Sequence, residues 1–299
     1  MILAAALIAA APAASPAIAY RVDPAHRIVE GIASDGKSLW VSSILDRAIL
    51  RCDRVCAPAF TLAGPAHPLG IAWDSDRQWL WVAMHCLELK GIKPCEGELR
   101  AVDRKGRVRY SGRPVDNFKP GDVSVHRSAV TVSDSATGAI YRLYRDRYST
   151  VRTVHEGKSA QGSATQPNGR TLVAADYSKG ISTFPIPYGP HTDPKLADGK
   201  TIQGIDGLAA VGRRLFGIYN GRAPGKLIEL SVSGPSLAYS EISDGSLLPD
   251  PTQVTFHQGD LYVVGDSGWA TIDKEVSRTS GATIVRIPIP PRELAQKGK

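Results

Sequence analysis

The chain has 299 residues, of which 42% are hydrophobic and 22% are charged. This length and apolar content exclude a disordered chain and suffice for one large domain or two smaller ones. The net charge of +7 makes nucleic acid a partner to consider. However, the Lys and Arg residues are scattered singly, with no basic run of five, so we expect a solvated basic surface and no nucleic-acid binding.

The first 19 residues, MILAAALIAAAPAASPAIA, carry no charge and end in Ala17-Ile18-Ala19, the small-x-small pattern that signal peptidase cleaves. We therefore predict an export signal over residues 1–19 and a periplasmic or secreted mature protein. Because a signal peptide normally opens with Lys or Arg, we expect the natural start to lie upstream. A membrane anchor is the alternative, but the apolar run is short for a bilayer and contains Pro12 and Pro16. No integral membrane domain is expected.

The next feature in the chain is a repeat that covers residues 20–290. Six segments each combine a short alternating strand, a polar turn and a second strand rich in Val, Leu and aromatic residues. In chain order they are VEGIASDGKSLWVSS, PLGIAWDSDRQWLWVAM, GDVSVHRSAVTVSDS, AQGSATQPNGRTLVAADYS, IDGLAAVGRRLFGIYN and TQVTFHQGDLYVVGDS. The predicted third strands are Ala48–Cys52, Glu98–Val102, Ala139–Leu143, Gly180–Phe184, Lys226–Leu230 and Thr283–Ile287. A fourth strand usually follows, as at Arg107–Tyr110 and Thr150–Val154.

The spacing of these segments predicts the fold. Equivalent residues in the first strand of each unit, here called the ring positions, are Glu30, Leu69, Gly121, Gln161, Asp206 and Thr252, and they are 39 to 52 residues apart. Such spacing indicates an all-β, six-bladed β-propeller of four-stranded blades. The segment Ala19–Val22 is expected to supply the fourth strand of the last blade, which closes the ring and removes an exposed edge. We expect Phe184–Pro194 to be a long loop and residues 291–299 a polar tail.

Four cysteines fall into two local pairs, Cys52 with Cys56 and Cys86 with Cys95. In an oxidising compartment such pairs predict disulfides that close short loops. A zinc site is the alternative, but neither pair has the Cys-x-x-Cys spacing of common zinc sites.

Candidate functional residues lie where the innermost strands open onto the central channel. Carboxylate and amide side chains occupy or adjoin five ring positions, at Glu30, Asp122, Gln161, Asp206 and Gln253. The second strands return to the same face and end at Ser43, His85, Asp134, Asp176, Asn220 and Asp266. Clustered carboxylates repel one another unless they are protonated or bridged by a cation, and oxygen ligands suit Ca²⁺. The pattern therefore predicts a divalent cation, with Ca²⁺ expected and Zn²⁺, Mn²⁺ or Mg²⁺ as alternatives.

Several of these residues have a structural interpretation as well. Asp134, Asp176 and Asp266 each follow a strand and would serve equally as side-chain caps of the next turn. The channel carboxylates would also be stable in water without an ion. His85 lies beside Cys86 and is read as a loop residue positioned by the disulfide, although it remains a candidate for the rim of the site. The other rim candidates are Asp122, Asn220 and Gln253.

Three motifs carry a resemblance to a known family. Glu30-Gly31, the segment QGSATQPNGRTLVAAD and Asp206-Gly207 resemble motifs of the six-bladed propellers that include senescence marker protein (regucalcin) and gluconolactonase. The resemblance implies that Glu30, Gln161 and Asp206 hold a metal ion and that Asp206 is also the catalytic base. Gln161 departs from the family, which has Asn there, and Gly121-Asp122 replaces the common Asn-Asp.

The second repeat unit can be compared with two further groups of propeller proteins. Paraoxonase-like proteins have Pro-His-Gly where this chain has Pro68-Leu69-Gly70, which disfavours a mechanism based on that histidine. The segment PLGIAWD is instead similar to strictosidine synthase-like proteins.

Two functions follow as hypotheses. The resemblance implies an exported, metal-dependent hydrolase of lactones or related esters, gluconolactonase-like, that acts on a small-molecule substrate as a monomer. The alternative is a non-enzymatic exported propeller that binds protein or glycan partners, with its channel carboxylates hydrated. The fold does not decide between them.

Overall fold

Six antiparallel sheets form a ring in the computed structural model, which describes residues 15–87, 95–144, 147–152, 159–186, 189–272 and 280–290. The prediction of an all-β six-bladed propeller is confirmed. Most of the predicted export signal and the predicted tail at 291–299 lie outside the described residues.

The blades follow one another in chain order, with the first strand of each blade innermost. Blade 1 contains β2 (Val29–Ser34), β3 (Leu39–Ser43), β4 (Ala48–Cys52) and β5 (Cys56–Thr61). Blade 2 contains β6 (His67–Asp74), β7 (Trp79–His85), β8 (Glu98–Val102) and β9 (Val108–Gly112). Blade 3 contains β10 (Pro120–His126), β11 (Ala129–Asp134), β12 (Ile140–Tyr144) and β13 (Arg147–Arg152).

The second half of the ring repeats this plan. Blade 4 contains β14 (Ala160–Thr165), β15 (Thr171–Asp176) and β16 (Gly180–Pro185). Blade 5 contains β17 (Ile205–Val211), β18 (Arg214–Tyr219), β19 (Lys226–Ser233) and β20 (Ser236–Glu241). Blade 6 contains β21 (Val254–His257), β22 (Asp260–Asp266), β23 (Thr283–Pro288) and, outermost, β1 (Ala17–Arg21). A single turn of 3-10 helix, Trp269–Thr271, is the helical element of the described residues.

The amino-terminal strand closes the ring as predicted. In β1, Ile18 pairs with Val285 and Tyr20 with Ile284, so the first and last strands of the chain share blade 6. The strand begins at Ala17, two residues earlier than predicted, and thus includes residues of the predicted export signal. Pairing with β1 gives β23 a neighbour on its outer side and so covers the edge of that strand.

Blade 4 departs from the prediction of four strands. Its described residues form three strands, and the chain after β16 runs instead to an isolated bridge between Thr183 and Thr192 and another between Lys195 and Ser236 of blade 5. Pro185 ends β16, and Pro190 and Pro194 lie within this segment. Because proline has no N–H to donate to a ladder, a proline-rich stretch cannot readily complete a fourth strand.

Apolar side chains hold neighbouring blades together. A buried cluster occupies each of the six interfaces between blades; Leu50 and Val264, for example, belong to the cluster between blades 1 and 6, and Trp81 and Val132 to the one between blades 2 and 3. Burial of each such large side chain stabilises the folded protein by roughly 1.5–3 kcal/mol. The blades therefore fix the positions of the inner strands around the channel.

Both predicted disulfides are present. Cys52 is bonded to Cys56 and Cys86 to Cys95. The first joins β4 to β5, and the second encloses a loop whose residues 88–94 lie outside the described structure. Two disulfides fit an oxidising compartment such as the periplasm or the extracellular space. No helix in the described part of the chain has the length and apolar character needed to cross a membrane.

Candidate functional site

A β-bulge marks the ring position in five of the six inner strands. The register shifts between Val29 and Ile32 in blade 1 and between Ile205 and Leu208 in blade 5, and the same irregularity recurs in blades 2, 3 and 4. A bulge leaves an extra residue unpaired and redirects its side chain. In blades 1, 4 and 5 the bulge therefore lies at the polar residue of the strand, which is Glu30, Gln161 or Asp206.

Glu30 lies at the bulge of β2. Its carboxylate oxygen Oε2 accepts a hydrogen bond from the indole Nε1 of Trp269, which belongs to the helical turn after β22. The backbone carbonyl of Glu30 accepts a hydrogen bond of 2.9 Å from the hydroxyl of Thr252, the ring position of blade 6. Blade 6 therefore fixes both the backbone and the side chain of Glu30.

Asp206 lies at the bulge of β17 and is held by Asn220, which directly follows β18. The amide Nδ2 of Asn220 donates to Asp206 Oδ2 at 2.9 Å and to the carbonyl of Pro251 at 2.8 Å. Asn220 Oδ1 is buried and has no hydrogen-bond partner among the described residues. Asn220 thus orients one oxygen of Asp206 and presents an unused acceptor of its own.

Asp122 and Gln253 meet across the channel from opposite blades. Gln253 Nε2 donates to Asp122 Oδ2 at 2.8 Å, and the two residues are only 8% and 7% exposed. Both stand one residue after the ring position, where blades 1, 2, 4 and 5 have glycine. A Cβ on Gly70 would lie 2.0 Å from Asp122 Oδ1, and a Cβ on Gly207 would lie 2.1 Å from Gln253 Oε1. These glycines therefore make room for the cross-channel hydrogen bond.

Asp250 is a fourth acidic residue of this region that sequence reasoning missed. Its Oδ2 accepts hydrogen bonds from the hydroxyl of Ser267 at 2.7 Å and the backbone N–H of Gly268 at 3.1 Å. Asp250 precedes the ring position Thr252 by two residues, so a wider window around each ring position would have found it. Trp269 carried no such signal, because it lies in a connection outside the repeat.

Burial and mutual repulsion raise the pKa values of Glu30 and Asp206. Burial, followed by the charges of Asp206, Asp122 and Asp250, holds the pKa of Glu30 well above its usual range, against the opposing hydrogen bond from Trp269. Burial, then Asp122 and Asp250, raises the pKa of Asp206 to about 8, against the hydrogen bond from Asn220. We call Glu30, Asp206 and Asp250 the carboxylate cluster; Asp122 lies beside it, in the hydrogen bond from Gln253.

The pKa values of two further residues of this region, Asp122 and Tyr177, are also raised. Burial raises the pKa of Asp122 to about 6, although the backbone N–H of Val123 and the amide of Gln253 favour its ionised form. Burial and the charges of Asp206 and Asp250 also raise the pKa of Tyr177, so its phenol keeps its proton at neutral pH. Tyr177 directly follows β15 and was not among the predicted site residues.

The remaining predicted residues have other hydrogen-bond partners. Gln161 lies at the bulge of β14, where its Nε2 donates to the hydroxyl of Ser159 at 3.0 Å. The Nδ1 atom of His85 is 3.0 Å from the carbonyl of Pro120, at the boundary of blades 2 and 3. The predicted turn caps are confirmed at two aspartates: Asp134 accepts from the N–H of Ala136, and Asp176 from those of Ser178 and Lys179, each at 3.0 Å.

The donor chemistry of the channel fits a hard cation. Its side chains offer carboxylate and amide oxygens, burial and then mutual repulsion raise the pKa values of Glu30 and Asp206, and the buried Asn220 Oδ1 lacks a donor within the described structure. Among the described residues, however, no three His, Cys, Asp or Glu side chains are grouped so as to hold a metal ion. The chemistry of a cation site is therefore present without a preformed three-ligand arrangement.

Comparison with solved structures finds the same fold in proteins of different function. A gluconolactonase from Xanthomonas campestris superposes with a TM-score of 0.61 at 18% sequence identity, covering 92% of this chain and 89% of that one. Virginiamycin B lyase from Staphylococcus aureus gives a TM-score of 0.59 at 14% identity, with coverage of 89% and 96%. The PQQ-bound aldose sugar dehydrogenase from Streptomyces coelicolor gives 0.57 at 14% identity, with coverage of 93% and 100%.

These likenesses establish the propeller fold alone, since a hydrolase, a lyase and an oxidoreductase share it. No family model matches the sequence, and no curated protein matches it either. The resemblance to strictosidine synthase-like proteins stays a prediction. Function must therefore be argued from the side chains of the channel.

Proposed function

We propose that this protein is an exported, metal-dependent hydrolase of lactones or related esters. The observation that supports it is the pairing of Asp206, a half-buried carboxylate with a raised pKa, with the orienting amide of Asn220 at 2.9 Å. A carboxylate that binds a proton more tightly than usual is a stronger general base once it is ionised. The gluconolactonase from Xanthomonas campestris among the structural neighbours is consistent with this reaction class.

In the proposed reaction Asp206 accepts a proton from a water molecule. The water oxygen forms a bond to the carbonyl carbon of the substrate, and the C–O bond of the ester then breaks. The departing alkoxide takes up the proton from Asp206, which leaves a hydroxy acid and restores the carboxylate. Asn220 keeps one oxygen of Asp206 occupied, so the other oxygen faces the water.

Other residues of the channel have proposed roles in binding. Glu30, Gln161 and Asp206, with the Asn220 oxygen that has no partner in the described part of the chain, would hold a divalent cation, for which Ca²⁺ is the first choice. When bound, such an ion polarises a carbonyl oxygen and lowers the pKa values of the nearby carboxyl groups. Tyr177 keeps its proton and is proposed to donate a hydrogen bond to the substrate.

The test of this proposal is hydrolysis of a lactone panel by the purified protein, with and without EDTA. We expect turnover that EDTA abolishes and Ca²⁺ restores, and loss of at least roughly a hundredfold in kcat for Asp206→Asn. That variant keeps the size of the side chain, so circular dichroism should be unchanged. Activity that survives both EDTA and Asp206→Asn would overturn the mechanism.

A second candidate, a non-enzymatic propeller that binds protein or glycan partners, is favoured by the side chain of Gln161. Its amide bonds to Ser159, and the described acidic residues form no three-ligand group. Elemental analysis separates the two candidates. A stoichiometric divalent ion supports the hydrolase, whereas a metal-free protein that is inert toward lactones supports the binding protein.

A further inference from the structure

A cavity lies on the other side of the Asp122–Gln253 hydrogen bond, away from the carboxylate cluster. Its volume is about 500 Å³, within the usual range for small-molecule sites. Every inner strand contributes to it, from Asp122 and Gln253 at its inner end to Ser34, His126 and Phe256 near the hairpin turns. None of the ring-position residues Glu30, Gln161 and Asp206 lines it.

The charge of this cavity is unusual for a protein with a net charge of +7. Its lining contains the carboxylate of Asp122 and no Lys or Arg among the described residues. Asp122 is more than nine-tenths buried, and its Oδ1 has no hydrogen-bond partner within the described part of the chain. His126 contributes no positive charge at neutral pH, because burial and the nearby Arg127 and Arg142 lower its pKa. A buried, unneutralised carboxylate favours a positively charged or hydrogen-bond-donating ligand.

The walls add acceptors and an aromatic surface. The hydroxyls of Ser124 and Ser163 lie 2.8 Å apart, and the Ser34 hydroxyl lies 2.8 Å from His257 Nδ1. Apolar side chains such as Ile71 also line the cavity. Phe256 is 42% exposed at the open end of the cavity. An aromatic face attracts a cation, and the apolar walls suit a short hydrocarbon body.

We propose that this cavity, here called the rear cavity, binds a small organic ammonium compound, with the ammonium group directed toward Asp122 and the hydrocarbon body against the apolar wall. The site is separate from the carboxylate cluster and does not depend on the proposed hydrolase activity. The Asp122–Gln253 pair forms the inner end of the rear cavity and also borders the opposite side of the channel.

The test is calorimetric titration of the full-chain protein with n-butylammonium and, as a matched neutral probe, n-butanol, in the presence of EDTA. We expect n-butylammonium to bind at least roughly tenfold more tightly than n-butanol, and Asp122→Asn to remove that preference. Asp122→Asn retains an oxygen that can accept from Gln253. Asp206→Asn should leave the preference intact, because Asp206 does not line the rear cavity.

A second pair of variants tests the position of the site without touching Asp122. Ala210 is exposed and belongs to the lining, so Ala210→Arg should weaken n-butylammonium binding through charge repulsion, whereas Ala210→Gln should not. Equal binding of the two probes would overturn the proposal. So would binding that is lost in Asp206→Asn but unchanged in Asp122→Asn and Ala210→Arg, since the ammonium would then occupy the carboxylate cluster.

Discussion

Gln253 of blade 6 donates a 2.8 Å hydrogen bond to Asp122 of blade 3, the blade opposite it in the ring. This single contact spans the channel between sequence positions 131 residues apart. It separates the carboxylate cluster from the rear cavity, and it depends on the absence of side chains at Gly70 and Gly207.

The first prediction concerns these glycines. Gly70→Ala should destabilise the protein by about 1–3 kcal/mol, because the new Cβ would overlap Asp122 Oδ1. Urea unfolding followed by circular dichroism measures the loss. Gly121→Ala is the matched comparison and should cost less, since its Cβ would meet its nearest neighbour, the carbonyl oxygen of Ala160, at 3.2 Å. In an Asp122→Ala background the cost of Gly70→Ala should shrink, because the closest contact is with that side chain; equal costs in both backgrounds would contradict the packing argument.

The second prediction concerns the effect of pH on stability. Asp122 and Asp206 have pKa values of about 6 and about 8 in the folded protein, above the value near 4 of an unfolded chain. The folded state therefore binds these protons more tightly. The resulting stabilisation is complete below about pH 4 and is lost as the pH rises through the two folded-state values.

The free energy of unfolding of EDTA-treated protein should accordingly fall from about pH 4 to pH 9, by on the order of 3 kcal/mol for Asp122 alone. Urea titrations at a series of pH values measure this slope. Asp122→Asn should flatten the curve, and Ca²⁺ should restore stability at pH 8 by neutralising the cluster. Stability that is constant over this range would show that the carboxyl groups are not desolvated.

A third prediction assigns Asn220 a positioning role, on the basis of the proposed hydrolase. Its hydrogen bond favours the ionised form of Asp206, so Asn220→Leu should raise the pKa of Asp206 further. We expect the pH profile of kcat to move to higher pH and kcat at pH 7 to fall about tenfold, with KM little changed. Asn168→Ala, in a turn outside the channel, is the control. An unshifted pH profile would limit Asn220 to a structural role.

The fold was largely predictable from the sequence because each blade repeats the same short-range pattern. Six ring positions at regular spacing locate every inner strand, and the second strands end at or one residue before the predicted residues, as at His85 and Asn220. The missing strand of blade 4 was less predictable. The repeat predicts a strand there, whereas Pro185 and Pro190 disfavour one.

The site was predictable only in part, for a physical reason. Glu30 and Asp206 stand at ring positions, so the repeat brings both to the channel. The contacts that shape their chemistry come from outside the repeat: Trp269 lies in a connecting segment, and Asp250 two residues before a ring position. The bond between Asp122 and Gln253 depends on side-chain reach across the ring, which spacing along the chain does not encode.

The last prediction concerns the amino-terminal strand and the predicted cleavage after Ala19. Ile18 pairs with Val285 and packs against the core between blades 5 and 6, so a chain that begins at Tyr20 loses these contacts and keeps the pairing of Tyr20 with Ile284. We expect it to be less stable than a chain that begins at Ser15 by about 1–2 kcal/mol, as measured by urea unfolding. Ile18→Ala in the longer chain should reproduce most of the loss, because the side chain supplies the packing. Equal stability of the two chains would show that the ring is closed by Tyr20 and Arg21 alone, and cleavage after Ala19 would then leave the fold intact.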